Sequence, residues 1–296
     1  MIKFYSTAYV FPGQGSQRLG MGGELFDRYP DIESEADRIL GYSIRDLCLK
    51  DPQKALSQTQ YTQPALYTVN TLMYRAMVAK TGHGGDILAG HSLGEYNALH
   101  AAEVFDFATG LRLVKKRGEI MAKITDGGMA AIMGITSDEV SQLLAENDCS
   151  ALDIANQNSP LQTVISGRVQ DIGAAEKIFN GIKGCSYFPL RVSGAFHSRY
   201  METARKEFDD FLTQFNFAPP RRAVISNVDA RPYVIGQVPD RLSRQITHPV
   251  KWAESIQVML GAGIVEFREA GPGDILTKLI SAIRQQSPAL AIDWPI

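Results

Sequence analysis

Gly90-His91-Ser92-Leu93-Gly94 constrains this chain more than any other stretch. A serine flanked by glycines, after a short apolar run and before helix-forming residues, has the form of a nucleophile elbow. The glycines permit the sharp strand-to-helix turn that exposes the hydroxyl, and the helix N-terminus behind it offers N–H groups to developing negative charge. Ile87-Leu88-Ala89 reads as a short buried strand bounded by Gly82, Gly84 and Gly85, and Glu95 to Leu99 continue with good helix formers. Three fixed residues also arise by chance in a chain rich in Gly and Ser, so the meaning of the motif depends on its surroundings.

Those surroundings alternate short β-rich runs with longer helical patterns, which predicts an α/β sheet with helices on its faces. Ala8 to Phe11 is the first strand, and it runs into the turn-rich loop Pro12-Gly13-Gln14-Gly15-Ser16-Gln17, at the strand end where such folds place ligand sites. Helical patterns cover Tyr61 to Val78 and Phe107 to Ile124, the second with apolar residues at Phe107, Leu111, Val114 and Met121, stopped by Asp126-Gly127-Gly128. From Met129 the pattern shortens: strand to Ile135, helix Ser137 to Glu146, strand Leu161 to Ser166, helix Asp171 to Phe179, strand Tyr187 to Val192. This order predicts a ferredoxin-like insert. Thereafter come a helix over Ser198 to Phe215, a strand over Val224 to Asn227, a helix over Val250 to Gly261 and a strand from Ile264 to Glu269. The expected division is a catalytic core of residues 1–127 and 195–296 and a subdomain of residues 128–194, with a cleft between them.

Composition excludes several classes of function. Of 296 residues, 45% are hydrophobic, enough for a substantial core, and a net charge of −2 with mixed signs gives neither a nucleic-acid stripe nor a polybasic membrane patch. Cys48, Cys149 and Cys185 are too few and too widely spaced for a disulfide framework or a metal knuckle. With no His/Cys cluster and no phosphate loop, neither a metal nor a nucleotide cofactor is expected. Met1 to Val10 lacks a leader pattern and no window approaches a membrane span, so the expected location is cytoplasmic.

A serine hydroxyl needs a base to take its proton. Of five histidines, His91 and His100 lie too near the elbow in sequence and His83 sits in a Gly-rich turn. His197 and His248 remain. Each follows the serine in the order usual for such hydrolase-like sites, and His197 is favoured because Ser193-Gly194-Ala195-Phe196-His197-Ser198 joins a strand to a helix at the subdomain junction. Arg117, in Lys115-Lys116-Arg117, would ordinarily belong to a solvated helix face, but its spacing from Val114 and Met121 puts it beside the apolar stripe.

Phe11-Pro12-Gly13-Gln14-Gly15-Ser16-Gln17, Thr62-Gln63-Pro64-Ala65-Leu66, Gly90-His91-Ser92-Leu93-Gly94-Glu95-Tyr96, Arg117 and Ala195-Phe196-His197-Ser198 occur in an order that resembles the malonyl-CoA:acyl carrier protein transacylases over nearly the whole chain. Gly41-Tyr42-Ser43-Ile44 and the segments around Thr62 and His197 look most like the free-standing members that serve polyketide synthases in trans. The resemblance implies an α/β-hydrolase-like core carrying a ferredoxin-like subdomain. It also implies malonyl transfer from malonyl-CoA, a substrate rather than a cofactor, to the phosphopantetheine thiol of an acyl carrier protein, by a monomer.

The same resemblance implies roles for individual residues. Ser92 is the nucleophile, His197 the base, and the backbone N–H groups of Gln14 and Leu93 form the oxyanion hole. A main-chain carbonyl around Gln245 orients the histidine, and Arg117 clamps the free carboxylate of malonate. Phe196 influences the choice between malonyl and methylmalonyl units, and Asn156-Gln157-Asn158-Ser159-Pro160 matches a loop near the pantetheine entrance, although it reads equally well as a polar turn. Three other readings remain: a malonyltransferase for fatty-acid synthesis, an acyl hydrolase that clears stalled carriers, which Arg117 disfavours, and a non-catalytic docking protein, which intact Ser92, His197 and Arg117 disfavour.

Overall fold

In β1 (Thr7–Phe11), Ala8 to Phe11 form an unbroken apolar run because they are buried on both faces, as parallel strands between helices are. Its alternate residues feed different cores: Tyr9 and Phe11 pack with Leu88 and Leu66 on one side, Ala8 and Val10 with Ile87, Ile225 and Trp252 on the other. The structure is a computed structural model that describes residues 6–294. The leader reading of Met1 to Val10 falls partly on residues 1–5, outside the described residues. After β1 come α1 (Leu25–Arg28), α2 (Pro30–Leu40), α3 (Ile44–Leu49), α4 (Thr59–Thr81), β2 (Ile87–Gly90), α5 (Gly94–Ala101) and α6 (Phe107–Ala122). The chain continues with β3 (Gly127–Met133), α7 (Ser137–Glu146), β4 (Asp153–Ser159), β5 (Gln162–Arg168), α8 (Val169–Asn180) and β6 (Ser186–Pro189). It then forms α9 (Glu202–Leu212), β7 (Ala223–Ile225), α10 (Val238–Gln245), α11 (Trp252–Gly261), β8 (Glu266–Glu269) and α12 (Ile275–Gln286).

Two sheets result. One has four parallel strands in the order β7-β2-β1-β8, with Phe11 beside Gly90 and Ala89 beside Ile225, so the carboxyl ends of β1, β2 and β7 open at one edge. The other is antiparallel, also of four strands, in the order β4-β5-β3-β6. With its two helices it is the split βαβ arrangement of ferredoxin-like units. Ile132, Ile165, Ile172 and Phe179 close its own core under α7 and α8, while Met129, Ala131 and Val164 on the opposite face join the main core. The fold is therefore α/β, a hydrolase-like core with an inserted ferredoxin-like unit.

Several elements differ from the sequence reading. Asn156-Gln157-Asn158-Ser159 is not a turn but most of β4, a strand without apolar alternation because its inward side chains meet a polar cleft, and two bulges break its register. The helix expected from Ser198 begins with one 3₁₀ turn, Arg199–Met201, and α-helix follows only from Glu202. α4 carries Pro64 inside it and is buried at every position from Thr62 to Leu72, so packing on all sides outweighs the lost backbone bond. β4 is also tied to the main core. Val250 donates its N–H to the Ala155 carbonyl and accepts from the Gln157 N–H, both at 2.9 Å, and Arg199 pairs with Asp153.

Candidate active site

The elbow exists because two residues carry no Cβ. At Gly90 a Cβ would lie 1.8 Å from the Gly94 carbonyl carbon, and at Gly94 one would lie 1.9 Å from the Phe11 oxygen. Strand β2, the turn and the β1 loop can approach this closely only with glycine at both positions. Ser92 takes φ 51°, a left-handed conformation unusual for a side-chain-bearing residue, and His197 takes φ 58°. Such backbone costs of order 1–3 kcal/mol each and persists only where the surroundings impose it. Asn227, just beyond β7, does so here: its Oδ1 accepts the Ser92 N–H and its Nδ2 donates to the Gly90 carbonyl, both at 2.7 Å.

Ser92 Oγ lies 2.8 Å from His197 Nε2, and His197 Nδ1 lies 2.7 Å from the main-chain oxygen of Gln245. The carbonyl accepts only if Nδ1 carries the proton, so Nε2 is left as the acceptor for the serine hydroxyl. Burial, and after it the positive charge of Arg117, pushes the His197 imidazole from 6.5 down to about 3. The ring is neutral, as a base must be before it acts. Its neighbour in sequence order, His248, instead bonds the Arg244 carbonyl and Thr247, and has no contact with Ser92. His100 bonds the Phe105 carbonyl, and His83 is exposed beside Asp86.

Arg117 is 1% exposed. Its Nη2 donates to Ser92 Oγ at 3.1 Å and to Gln245 Oε1 at 3.0 Å, and Nη1 donates to Gln63 Oε1 at 2.9 Å. The guanidinium carbon sits 5.6 Å from the centre of the Tyr96 ring. Burial lowers its affinity for the proton. Among the described residues no carboxylate lies within ion-pair distance of it, so a buried cation faces the nucleophile with only neutral oxygens as partners. Such a group is a ready receptor for an anion that arrives with the substrate.

A cavity of about 150 Å³ opens in front of these groups, between the main core and the antiparallel sheet. Gln14, Gln63, His91, Ser92, Arg117 and His197 supply its polar wall, and Met121, Met129, Val164, Leu190, Val192 and Phe196 its apolar wall. The Phe196 ring fits against Gly194, where a Cβ would come within 2.4 Å of it. The N–H groups of Gln14 and Leu93 donate to no acceptor among the described residues. Their loops touch, since a Cβ on Gly13 would meet the His91 oxygen at 2.4 Å and the Leu93 nitrogen at 3.6 Å. His91 Nε2 reaches Asn158 Oδ1 of β4 at 2.8 Å, a contact across the cleft. No group of three or more His, Cys, Asp or Glu able to hold a metal ion occurs among the described residues, and no helix there is long and apolar enough to cross a membrane.

Thus Ser92, His197, Arg117, Gln14 and Phe196 all line one cavity, with Leu93 buried behind the serine and Gln245 buried behind Arg117 and His197, which it contacts. Sequence reasoning gave no role to Gln63, Asn227 or Glu95. Asn227 could have been found from its place after a parallel strand, where site residues collect. Glu95 is fully buried and accepts from Tyr233, Gln245 and Asn227. Burial pushes its carboxyl up to about 7, against the pull of those donors.

Comparison with known proteins agrees with this architecture. The chain is 52% identical over 282 residues to the polyketide biosynthesis malonyl CoA-acyl carrier protein transacylase BaeC of Bacillus velezensis, covering 95% of this chain and 98% of that one. It is 36% identical to the malonyl CoA-acyl carrier protein transacylase of Escherichia coli, over 97% of this chain and 96% of that one. The crystal structure of the malonyl CoA-acyl carrier protein transacylase from Burkholderia pseudomallei superposes with a TM-score of 0.93 at 48% identity, covering 96% of this chain and all of that one. The acyl transferase domain model matches residues 8–287, from the first strand through the last helix, so the serine, histidine and arginine that share the cavity all fall within the match. The chain belongs to the acyl transferase domain family.

Proposed function

We propose that this chain transfers malonyl from malonyl-CoA to the phosphopantetheine thiol of an acyl carrier protein through an ester on Ser92. The observation that carries the reading is the buried, anion-free guanidinium of Arg117, 3.1 Å from the nucleophile. An uncharged acyl group would leave that cation without a counter-ion, whereas the malonyl carboxylate supplies one. Ser92 Oγ attacks the thioester carbonyl as His197 Nε2 takes its proton, and the oxyanion accepts from the Gln14 and Leu93 N–H groups. Collapse expels the thiol of CoA, which leaves with the proton held by His197. The carrier thiol then repeats the sequence in reverse, giving its proton to His197 and displacing the serine. Gln245 orients His197, and Phe196 crowds an α-methyl group, which one methyl's worth of binding, about 1 to 3 kcal/mol, makes a partial selection.

The polyketide role in trans is supported by the name and identity of the Bacillus velezensis relative. The chemistry draws on the chain's own side chains and backbone groups, so we propose no cofactor. The three free cysteines suit a reducing cytoplasm. Residues 128–194 are read as the subdomain that roofs the cleft.

The test is the intact mass of the purified protein after malonyl-CoA, methylmalonyl-CoA or acetyl-CoA, followed by a holo carrier protein. A malonyl adduct that moves to the carrier is the expected result. No adduct, or one lost to water with no carrier loaded, would overturn the reading. Arg117→Ala is expected to lower malonyl loading about 10- to 100-fold while leaving acetyl loading nearly unchanged, because one charge-assisted hydrogen bond contributes about 1.5 to 3 kcal/mol. The pH profile is a separate check. A base works above its pKa, and His197 is depressed to about 3. kcat/KM for acetyl-CoA, which does not draw on the Arg117 clamp, should therefore hold from about pH 8 to about pH 5, where an ordinary imidazole would already be protonated. Arg117→Ala removes one depressing charge, and the acid limb should move upward.

A further inference from the structure

Glu95 takes no part in the transfer outlined above, yet it is a fully buried carboxylate at the base of the site. Its Oε1 accepts the Tyr233 hydroxyl at 2.6 Å and the Asn227 N–H at 3.2 Å, and its Oε2 accepts the Gln245 side-chain amide nitrogen. All three partners donate, so they fit an acceptor-only carboxylate. The other end of the same amide faces the opposite charge, since Gln245 Oε1 accepts from Arg117 Nη2, which in turn reaches Ser92 Oγ. One neutral side chain thus lies between a buried anion and a buried cation, nitrogen toward the first and oxygen toward the second. Turned over, it would set its NH₂ against guanidinium N–H groups, donor against donor.

We infer that Glu95 is a positioning residue that fixes the Gln245 amide and thereby holds Arg117 aimed at the space beside Ser92 where a substrate carboxylate lands. The inference rests on the malonyl reading above. His197 is held differently, by the main-chain oxygen of Gln245, which lies at the end of α10 whatever its side chain does. Gln245 Nε2 also donates to the Ser92 carbonyl at 2.9 Å, which steadies the elbow; what Glu95 adds through the relay is the aim of Arg117, while the main-chain oxygen orients His197. Gln63 steadies only the other arm of the guanidinium, Nη1, and cannot set the direction of Nη2 by itself.

Glu95→Gln, assayed at about pH 8, is expected to raise KM for malonyl-CoA about tenfold while kcat, and kcat/KM for acetyl-CoA, change less than about threefold. In an Arg117→Ala background the same substitution should change malonyl loading less than about twofold, because its effect runs through Arg117. Equal losses for malonyl and acetyl, or the same loss with and without Arg117, would reduce Glu95 to a structural residue and overturn the inference. Should Glu95→Gln fail to fold, Glu95→Asp carries the test. It keeps the charge but withdraws it from Gln245 by one methylene, and the preference for malonyl over acetyl should fall in the same direction. A folded Glu95→Asp with unchanged preference overturns the inference as well. A wild-type chain that loads no malonyl defeats the malonyl reading and this inference together. One that loads malonyl while the Glu95 variants keep its selectivity defeats the inference alone.

Discussion

Ser92→Ala is expected to abolish the acyl-enzyme adduct and to lower transfer to the carrier by at least about 10⁴-fold. No other hydroxyl or thiol is bonded to His197 among the described residues, so no second nucleophile inherits the proton path. The expected loss is chemical rather than structural. Alanine keeps the Cβ that already tolerates φ 51°, and the elbow is pinned through the Ser92 N–H and carbonyl, which accept no help from Oγ. The thermal midpoint should therefore stay within about 4 °C of wild type, the shift that about 1 kcal/mol gives in a chain of this size. Intact mass and a melting curve on the same sample check both halves. A full malonyl adduct on Ser92→Ala would place the nucleophile elsewhere.

His197→Ala is expected to slow serine acylation by about 10²- to 10⁴-fold, the usual contribution of a positioned base. The two half reactions should then part company. A serine hydroxyl does not ionise near neutrality, so loading stays slow at every accessible pH. The carrier thiol, unlike a serine hydroxyl, begins to ionise unaided in mild alkali, so the second half reaction should recover as pH rises above about 9. Rapid-quench measurement of the adduct forming on, and leaving, Ser92 separates them. Equal recovery of both steps would mean that His197 is not the base for the serine.

Much of this site was legible before any coordinates. Small residues around Ser92 specify the elbow because their meaning is local: a tight turn needs glycine wherever it occurs. β1 and β2 were readable for a related reason, since strands buried on both faces are apolar throughout. β4 was not, because a strand whose inner residues line a polar cleft, Asn156 and Asn158, shows neither alternation nor an apolar run. α10 was also missed: charged and proline-bearing, it owes its place to the buried face of Val238, Leu242 and Gln245. Arg117 shows the limit most clearly. Spacing put it beside an apolar stripe, but its burial without an acid follows from Gln63 and Gln245, which lie 54 and 128 residues away. Glu95 belongs to the same class, for its partners come from helix and loop segments more than 130 residues distant.

The bonds between β4 and Val250 bear on how such enzymes could be re-engineered. Grafting the small unit from a relative with another acyl preference invites two cuts, near residues 128 and 194. Such a graft would import a new β4 yet keep the old strap at Val250, the old Arg199 opposite residue 153 and the old His91 opposite residue 158. Each junction is a place where two parental sequences must agree on one geometry, and the strap lies only five residues beyond Gln245, whose carbonyl orients the histidine. The smallest transplantable piece is therefore discontinuous: the insert together with Arg199 and the segment from Gln245 to Val250, with residue 158 kept matched to His91.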